Sequence, residues 1–360
     1  MLAYLIIIAA ALTAWLFLLL PSIIYLCKPW QIKFSNLLAV FHDDALKFYF
    51  ERFFPAEPMP RDNELKNKFK QSCNVNFGRR LYYIPLALLG IISALGLVMV
   101  TANLLYWVDN PSSGFKDPFP PIAISAFLGA YMWVANDQLQ SFRKLDFSSH
   151  DVYVCSFRFL IALPMGFSFS AMLNDSAGVP IAFFLGTFPT STLFKYGKRF
   201  VNQKIGIGEE PAEGKSELEQ VQCINRTEAE RFQSEGISNI CQLAYSNPVD
   251  LTLRTNFDWN YIVDCISQAL LWLYVEKDIA KLRLLGLRGA QEVHYLVKCF
   301  DCDDLKQKEI AKNCLKATAN ALGLSDTDLM YTLNNVTEDP YTKFICNVWC
   351  VRQEYEPDQE

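Results

Sequence analysis

Histidine is almost missing from this chain: His42, His150 and His294 are the three it has in 360 residues, and they stand far apart. That scarcity excludes the paired-histidine pattern of zinc proteases. Nucleophile-elbow, Rossmann and protein-kinase signatures are also lacking. No stretch alternates apolar and polar residues as a half-buried strand does, which argues against β structure and for an all-α chain. The apolar stretches carry no acidic or basic side chain at their centres, and Asn103 is the polar exception near one end. Ion pumps and proton-coupled carriers place at least one ionisable group there.

What is abundant is apolar sequence. Five stretches stand out, at about 2–26, 82–107, 119–135, 154–173 and 179–194. A bilayer core of ~30 Å needs roughly 20 apolar residues in a helix. The first two meet that comfortably. The last three are shorter and contain Pro121, Pro164, Pro180 and Pro189, with the fifth the nearest to a broken or re-entrant helix. The first stretch has no basic leader and is too long for the apolar core of a signal peptide, so it is expected to stay as an anchor.

Ten basic residues lie in 28–81, Lys116 alone in 108–118, Arg143 and Lys144 in 136–153, and none in 174–178; Lys195, Lys198, Arg199 and Lys204 follow the fifth stretch. Basic and basic-poor connections alternate. Five crossings with the N-terminus outside and the C-terminus in the cytoplasm satisfy that pattern.

The net charge of −5 hides an asymmetry, since residues 1–204 are net +6 and 205–360 are net −11. The basic part suits an anionic lipid leaflet. The acidic part would be repelled by nucleic acid, so none is expected as a partner. Residues 205–217 read as an acidic linker. Gly208 and Gly214-Lys215-Ser216 have the wrong spacing for a P-loop, and Glu209, Glu210 and Glu213 would repel phosphate.

Eleven cysteines, an odd number, read as reduced thiols. Cys299 with Cys302 and Cys346 with Cys350 have a spacing that four zinc thiolates use. Cys346 and Cys350 are also one turn apart on a predicted helix, where cysteine is an ordinary small core residue. Neither metal nor cofactor is expected.

Within 28–81, residues 34–54 mix Phe34, Phe41, Phe48, Tyr49, Phe50, Phe53 and Phe54 with charges. This predicts an amphipathic helix that either lies in the membrane interface or packs on the C-terminal module. Pro55, Pro58 and Pro60 end it, and a short basic helix over 62–73 follows. Asn136, Asp137, Asp146, His150, Asp151 and Arg158 make the densest polar patch near the membrane, with an Asp137–Arg158 pair expected at its edge and Ser148 with Asp151 a capping box. Small residues at helix-packing spacing (Gly90 and Ala94, Ser125 and Gly129, Ala126 and Ala130) predict close helix approach.

From Glu217 the periodicity is helical, first to Gly236 and then to Asn247-Pro248. Further helices are predicted over 261–274, about 276–299, 304–321, 325–334 and 340–352, so residues 218–360 form an all-helical module. Leu218-x-x-Val221-x-Cys223-Ile224-Asn225-x-x-Glu228-Ala229-x-x-Phe232-x-x-Glu235-Gly236-Ile237 resembles a helix-hairpin-helix or SAM-like domain, with a weaker echo at Leu282-x-x-Leu285-Gly286-Leu287-Arg288-Gly289-Ala290. Cys223-Ile224-Asn225 stands where DNA-binding members of that group carry their glycines, so the likeness implies protein packing. More broadly, Asp146-Phe147, Asp151-Val152-Tyr153, Arg158, Pro164, Gly166, Phe184-Leu185-Gly186, Phe188-Pro189, Gln242-Leu243-Ala244 and Gln268-Ala269-Leu270 resemble an uncharacterised class of bacterial multi-pass membrane proteins with such a tail. That resemblance implies a bacterial inner-membrane location.

Without a catalytic constellation, the expectation is a non-enzymatic scaffold or sensor that touches membrane lipids and binds a protein partner, or itself, through its cytoplasmic module. The alternatives are a gated pore or membrane-perturbing effector, and a lipid-acting enzyme using Asp137, His150 or Asp151.

Overall fold

The computed structural model describes residues 1–27, 29–41, 43–56, 58–59, 61, 64–110, 118–170, 175–188 and 216–353. Every regular element among them is helical. The chain divides into two compact units, one built from Met1–Ile32 and Asn74–Ala212, the other from Lys33–Cys73 and Glu213–Glu360.

The first unit holds α1 (Leu2–Cys27), α5 (Arg80–Asp109), α6 (Pro121–Lys144), α7 (Ser149–Ser170) and α8 (Asp175–Thr187). Pro120-Pro121 starts α6, because proline at the first helical position gives up an amide that has no partner there anyway. The box opening α7 forms as the sequence predicts: Asp151 accepts from the Ser148 amide at 2.8 Å, and Ser148 Oγ accepts from the Asp151 amide at 3.2 Å.

The tightest packing is between α6 and α8. A Cβ on Gly129 would sit 2.1 Å from the Phe183 carbonyl, and one on Gly186 would sit 2.6 Å from the Ala126 carbonyl. Ser125 Oγ donates to the Val179 carbonyl across the same seam. This is the small-residue contact expected of Ser125, Gly129, Ala126 and Ala130. A Cβ on Gly90 would be in ordinary contact with Leu19 of α1, and the Gly90 carbonyl accepts from Trp15 Nε1 at 2.9 Å.

Two helical stretches, within Leu2–Ala39 and Leu65–Asp109, are long and apolar enough to cross a membrane by length and composition. The sequence reading expected five such crossings, and among the described residues the other three fall short of that criterion. α6 and α7 have the length, at 24 and 22 residues, and carry Asp137 and Gln138, and Arg158, respectively. α8 has 13 residues, and 189–194 lie outside the described residues.

The second unit begins with α2 (Pro29–Val40), α3 (Asp43–Phe53) and α4 (Leu65–Phe77), of which residues 33–73 belong to it. Then come α9 (Arg226–Ser234), α10 (Ile240–Ala244), α11 (Pro248–Arg254), α12 (Trp259–Val275), α13 (Ile279–Leu284), α14 (Ala290–Asp301), α15 (Leu305–Leu322), α16 (Asp326–Glu338) and α17 (Pro340–Gln353). Short polar residues start most of these helices by accepting from otherwise orphaned amides: Asn225, Asn239, Asn247, Asp258, Asp304 and Ser325. The helix predicted over 276–299 is in fact two, because Gly286 adopts φ +87°, a conformation that ends α13. Gly236 does the same after α9 at φ +86°.

The aromatic segment between the first two apolar stretches is two helices, and their apolar face is buried in this second unit. Phe41 is 2% exposed and packs on Trp259 at 4.8 Å and Phe69 at 5.4 Å, ring centre to ring centre. Phe53 meets Tyr341 and Phe344 edge-on, Arg52 lies 4.7 Å from the Tyr341 ring centre, and Asn247 donates to the Tyr49 hydroxyl. Of the two placements the sequence leaves open, the observed one is against the C-terminal helices.

Candidate functional site

The polar residues singled out at the membrane edge do not converge. Asn136 accepts from Gln140 one turn along its own helix, and His150 is exposed at the start of α7. Asp151 is the cap partner of Ser148. The amide of Asp146 donates to the Ser141 carbonyl in the turn after α6, where Leu145 takes a left-handed φ of 54°. The Asp137–Arg158 pair is replaced by two separate arrangements. Arg158, fully buried, donates to the carbonyls of Leu185 and Gly186 on α8 at 2.8 and 2.6 Å and lies 5.5 Å from the Trp133 ring centre. Asp137 accepts from the Cys155 thiol, Gln138 donates to the same sulfur, and Ser22 of α1 donates to Gln138. A guanidinium offers five donors, and backbone carbonyls at the end of α8 satisfy two of them. The cluster therefore serves to join α1, α6, α7 and α8. Sequence reasoning missed the roles of Ser22 and Cys155, which no periodicity distinguishes from ordinary packing residues.

The thiols named for zinc do not gather either. Cys302 donates to the Cys299 carbonyl, the Cys299 thiol faces Gln307, and Cys346 is buried on α17, while the Cys350 side chain lies outside what is described. Among the described residues no three metal-ligating side chains converge.

The concave site is in the second unit. The turn Leu285–Gly286–Leu287–Arg288 carries the chain from α13 into α14. The Leu285 and Leu287 amides both bond the Leu282 carbonyl, and the Gly286 amide bonds that of Arg283. The turn after α9 repeats this pattern, with the Glu235 and Ile237 amides on the Phe232 carbonyl and Gly236 on Gln233. In both turns the residue after the glycine is buried, Ile237 and Leu287. The second turn presses α14 onto α12: a Cβ on Gly289 would lie 2.5 Å from Ser267 Oγ, and that hydroxyl accepts from the Gln291 amide.

Beside this contact, α12, the turn, α14 and α15 line a pocket of about 920 Å³ that is open to solvent on one side, with Cys346 of α17 in its wall. One wall is the α14 face Gln291, His294, Tyr295 and Lys298, and the facing α15 wall carries Ile310, Ala311 and Cys314. At the rim Arg288 donates to Asp264, whose other oxygen accepts from Gln268. Glu292 is occupied by the Gly289 amide. The side-chain nitrogen Nε2 of Gln291 and both ring nitrogens of His294 are shielded from solvent and have no hydrogen-bond partner among the described residues. Burial, reinforced by Lys298, holds His294 below the usual imidazole range, so it is neutral at pH 7. Comparison with protein-family models, with curated proteins and with solved structures finds no match to this chain.

Proposed function

We propose that this chain is a multi-pass membrane protein of five crossings, and that it works as a membrane-anchored sensor and scaffold. Its N-terminus lies outside, its helical unit lies in the cytoplasm of a bacterial inner membrane, and that unit engages a protein partner or a second copy.

One observation carries the reading. The segment between the first two apolar helices folds into the C-terminal helical unit, so the chain passes between the two units three times, at Ile32–Lys33, Cys73–Asn74 and Ala212–Glu213. A tail joined by a single linker would have one connection. Here any rearrangement of the helical unit has a covalent route to both α1 and α5.

Two further facts support it. Leu5, Ile6, Leu12, Leu16 and Leu20 of α1, and Ile84, Ile91, Leu95 and Val98 of α5, are exposed, which suits helices solvated by lipid and not the core helices of a water-soluble domain. On the helical unit Leu284, Leu305 and Tyr331 are 87%, 80% and 70% exposed, which makes them positions from which a bound partner can be captured.

Photo-crosslinking amino acids at Leu305 and Tyr331 of the full-length protein, in native membranes, test this. One discrete protein adduct, or a homodimer band, is expected from the two positions. Adducts to lipid alone, or none, overturn the scaffold reading. A fluorescent reporter fused after Glu360 that folds only outside the cytoplasm overturns the topology.

A further inference from the structure

We infer that the cavity between α12, α14 and α15 is a binding site for a small organic anion: an apolar body carrying a carboxylate or phosphate head. This deepens the sensor reading by naming the class of its input, but it rests on the geometry of the helical unit alone.

The size is right for a metabolite. About 920 Å³ is at the upper end of the range that small-molecule sites occupy, roughly 300–1,000 Å³. The shape is a slot. Gln291, His294 or Tyr295, and Lys298 recur at helical spacing on one face of α14, so the polar wall runs about two turns, roughly 10 Å, along that helix. Ile310 and Ala311 on α15, with Leu287 from the turn and Leu296 of α14, supply apolar lining.

The sign of the ligand follows from an inventory of its polar groups. The acidic groups lining the slot are Asp264 and Glu292. Both oxygens of the first accept, from Arg288 and Gln268, and one oxygen of the second accepts from the Gly289 amide. Two groups are shielded and without partners among the described residues, the Gln291 side-chain nitrogen, a donor, and the His294 ring, which when neutral carries one N–H donor and one acceptor; the Lys298 ammonium and the Arg288 guanidinium hydrogens not spent on Asp264 add donors on the exposed side. Buried donors without partners are costly, and a native structure tolerates them where something else fills them. A ligand that offers acceptors at one end satisfies those donors. An ammonium head would meet two cations, and a plain alcohol would satisfy one donor at most. The carboxylate or phosphate could belong to a free metabolite or to a single-chain lipid, since both present the same head to the same donors.

The test uses the full-length protein in lipid nanodiscs, with empty nanodiscs as the background, and three probes sharing one body: 4-phenylbutyrate, 4-phenylbutanol and 4-phenylbutylamine. Octanoate and octyl phosphate are run beside them, so that a preference for the chain over the aromatic acid separates a lipid source from a metabolite source. Binding is read by equilibrium dialysis and by ligand-observed saturation-transfer NMR. The acid is expected to bind saturably, with the alcohol weaker by about tenfold or more, as loss of a charge-assisted hydrogen bond predicts, and the amine not binding. Gln291→Leu and Arg288→Gln are expected to weaken the acid by about tenfold while leaving the alcohol unchanged. Ala311→Phe, which fills the slot, should abolish binding of every probe. Circular dichroism confirms that each variant is folded, and Gln291→Leu suffices if Arg288→Gln is not. Equal affinity for acid and alcohol, or acid binding that survives Ala311→Phe in a folded protein, overturns the proposal. Neither result touches the crosslinking and topology outcomes that judge the sensor reading itself.

Discussion

Asp250 offers the sharpest test of how the helical unit is assembled. It lies in the first turn of α11, and burial raises its carboxyl from the ordinary 3.8 to about 6, with Arg254 one turn along opposing the rise. Its charge is felt by Tyr49 and Cys73 of the early segment and by Tyr341 of α17, and the Cys73 thiol is itself pushed up to about 12, mainly by burial. Asp250 thus sits where residues 33–73 meet the C-terminal helices.

The sign is set by linkage. A carboxyl with a raised folded-state pKa binds its proton more tightly when folded, so stability is highest below 3.8 and falls as pH rises through about 6. The difference between 3.8 and about 6 corresponds to about 3 kcal/mol in full. Residual solvent contact and the favourable place of an anion in a first helical turn cut this to about 1–2 kcal/mol. Asp250→Asn keeps the shape and removes the charge. At pH 7.5 the variant should melt higher than the parent by several degrees, since 1 kcal/mol moves a unit of this size by roughly 2–4 °C. At pH 4.5 the advantage should shrink markedly. Differential scanning fluorimetry of both proteins in nanodiscs between pH 4.5 and 7.5 measures it. A variant that melts lower at every pH, or higher by the same amount throughout, would refute the reasoning.

Three other substitutions probe separate joints. Phe41→Ala removes a 2%-exposed ring from contact with Trp259 and Phe69, and should cost about 3–5 kcal/mol and raise hydrogen exchange in 259–275; unchanged exchange there would place the segment elsewhere. Cys223, exposed, has φ +70°, so Cys223→Gly should raise the stability of the helical unit by up to about 1 kcal/mol in denaturant titration, and a loss would show the thiol has another role. Gly186→Val forces a Cβ to within 2.6 Å of the Ala126 carbonyl, and should separate α8 from α6 and make the Cys155 thiol reactive toward maleimide, a reaction the parent should resist.

How far the sequence went follows from the range of each interaction. The all-helical class, the Ser148–Asp151 box and the chain reversal at Gly236 were legible because each is decided within a few residues. The break at Gly286 was visible as a repeated motif but was overridden by the apolar periodicity running through it, and the helix was drawn too long. Arg158 was assigned a carboxylate because charge suggests charge; its partners are backbone carbonyls, which any sequence supplies and none advertises. For residues 34–54 the amphipathic pattern is the same whether the apolar face meets lipid or protein, so periodicity could not choose. The cavity had no signature at all. Its walls come from four helices and a turn, and the feature that marks it is the lack of partners for Gln291 and His294, a property of the assembled unit.

The packing of the early segment into the C-terminal helical unit underlies both the three-fold connection and the signalling role built on it. Phe53→Cys combined with Phe344→Cys, at positions whose native rings are 5.4 Å apart centre to centre, can be treated in intact membranes with a short bis-maleimide and the linked peptides identified by mass spectrometry. A high-yield link between positions 53 and 344 of one chain is the predicted result, reduced when Phe41→Ala is added. Labelling of both introduced thiols without a link between them would contradict it.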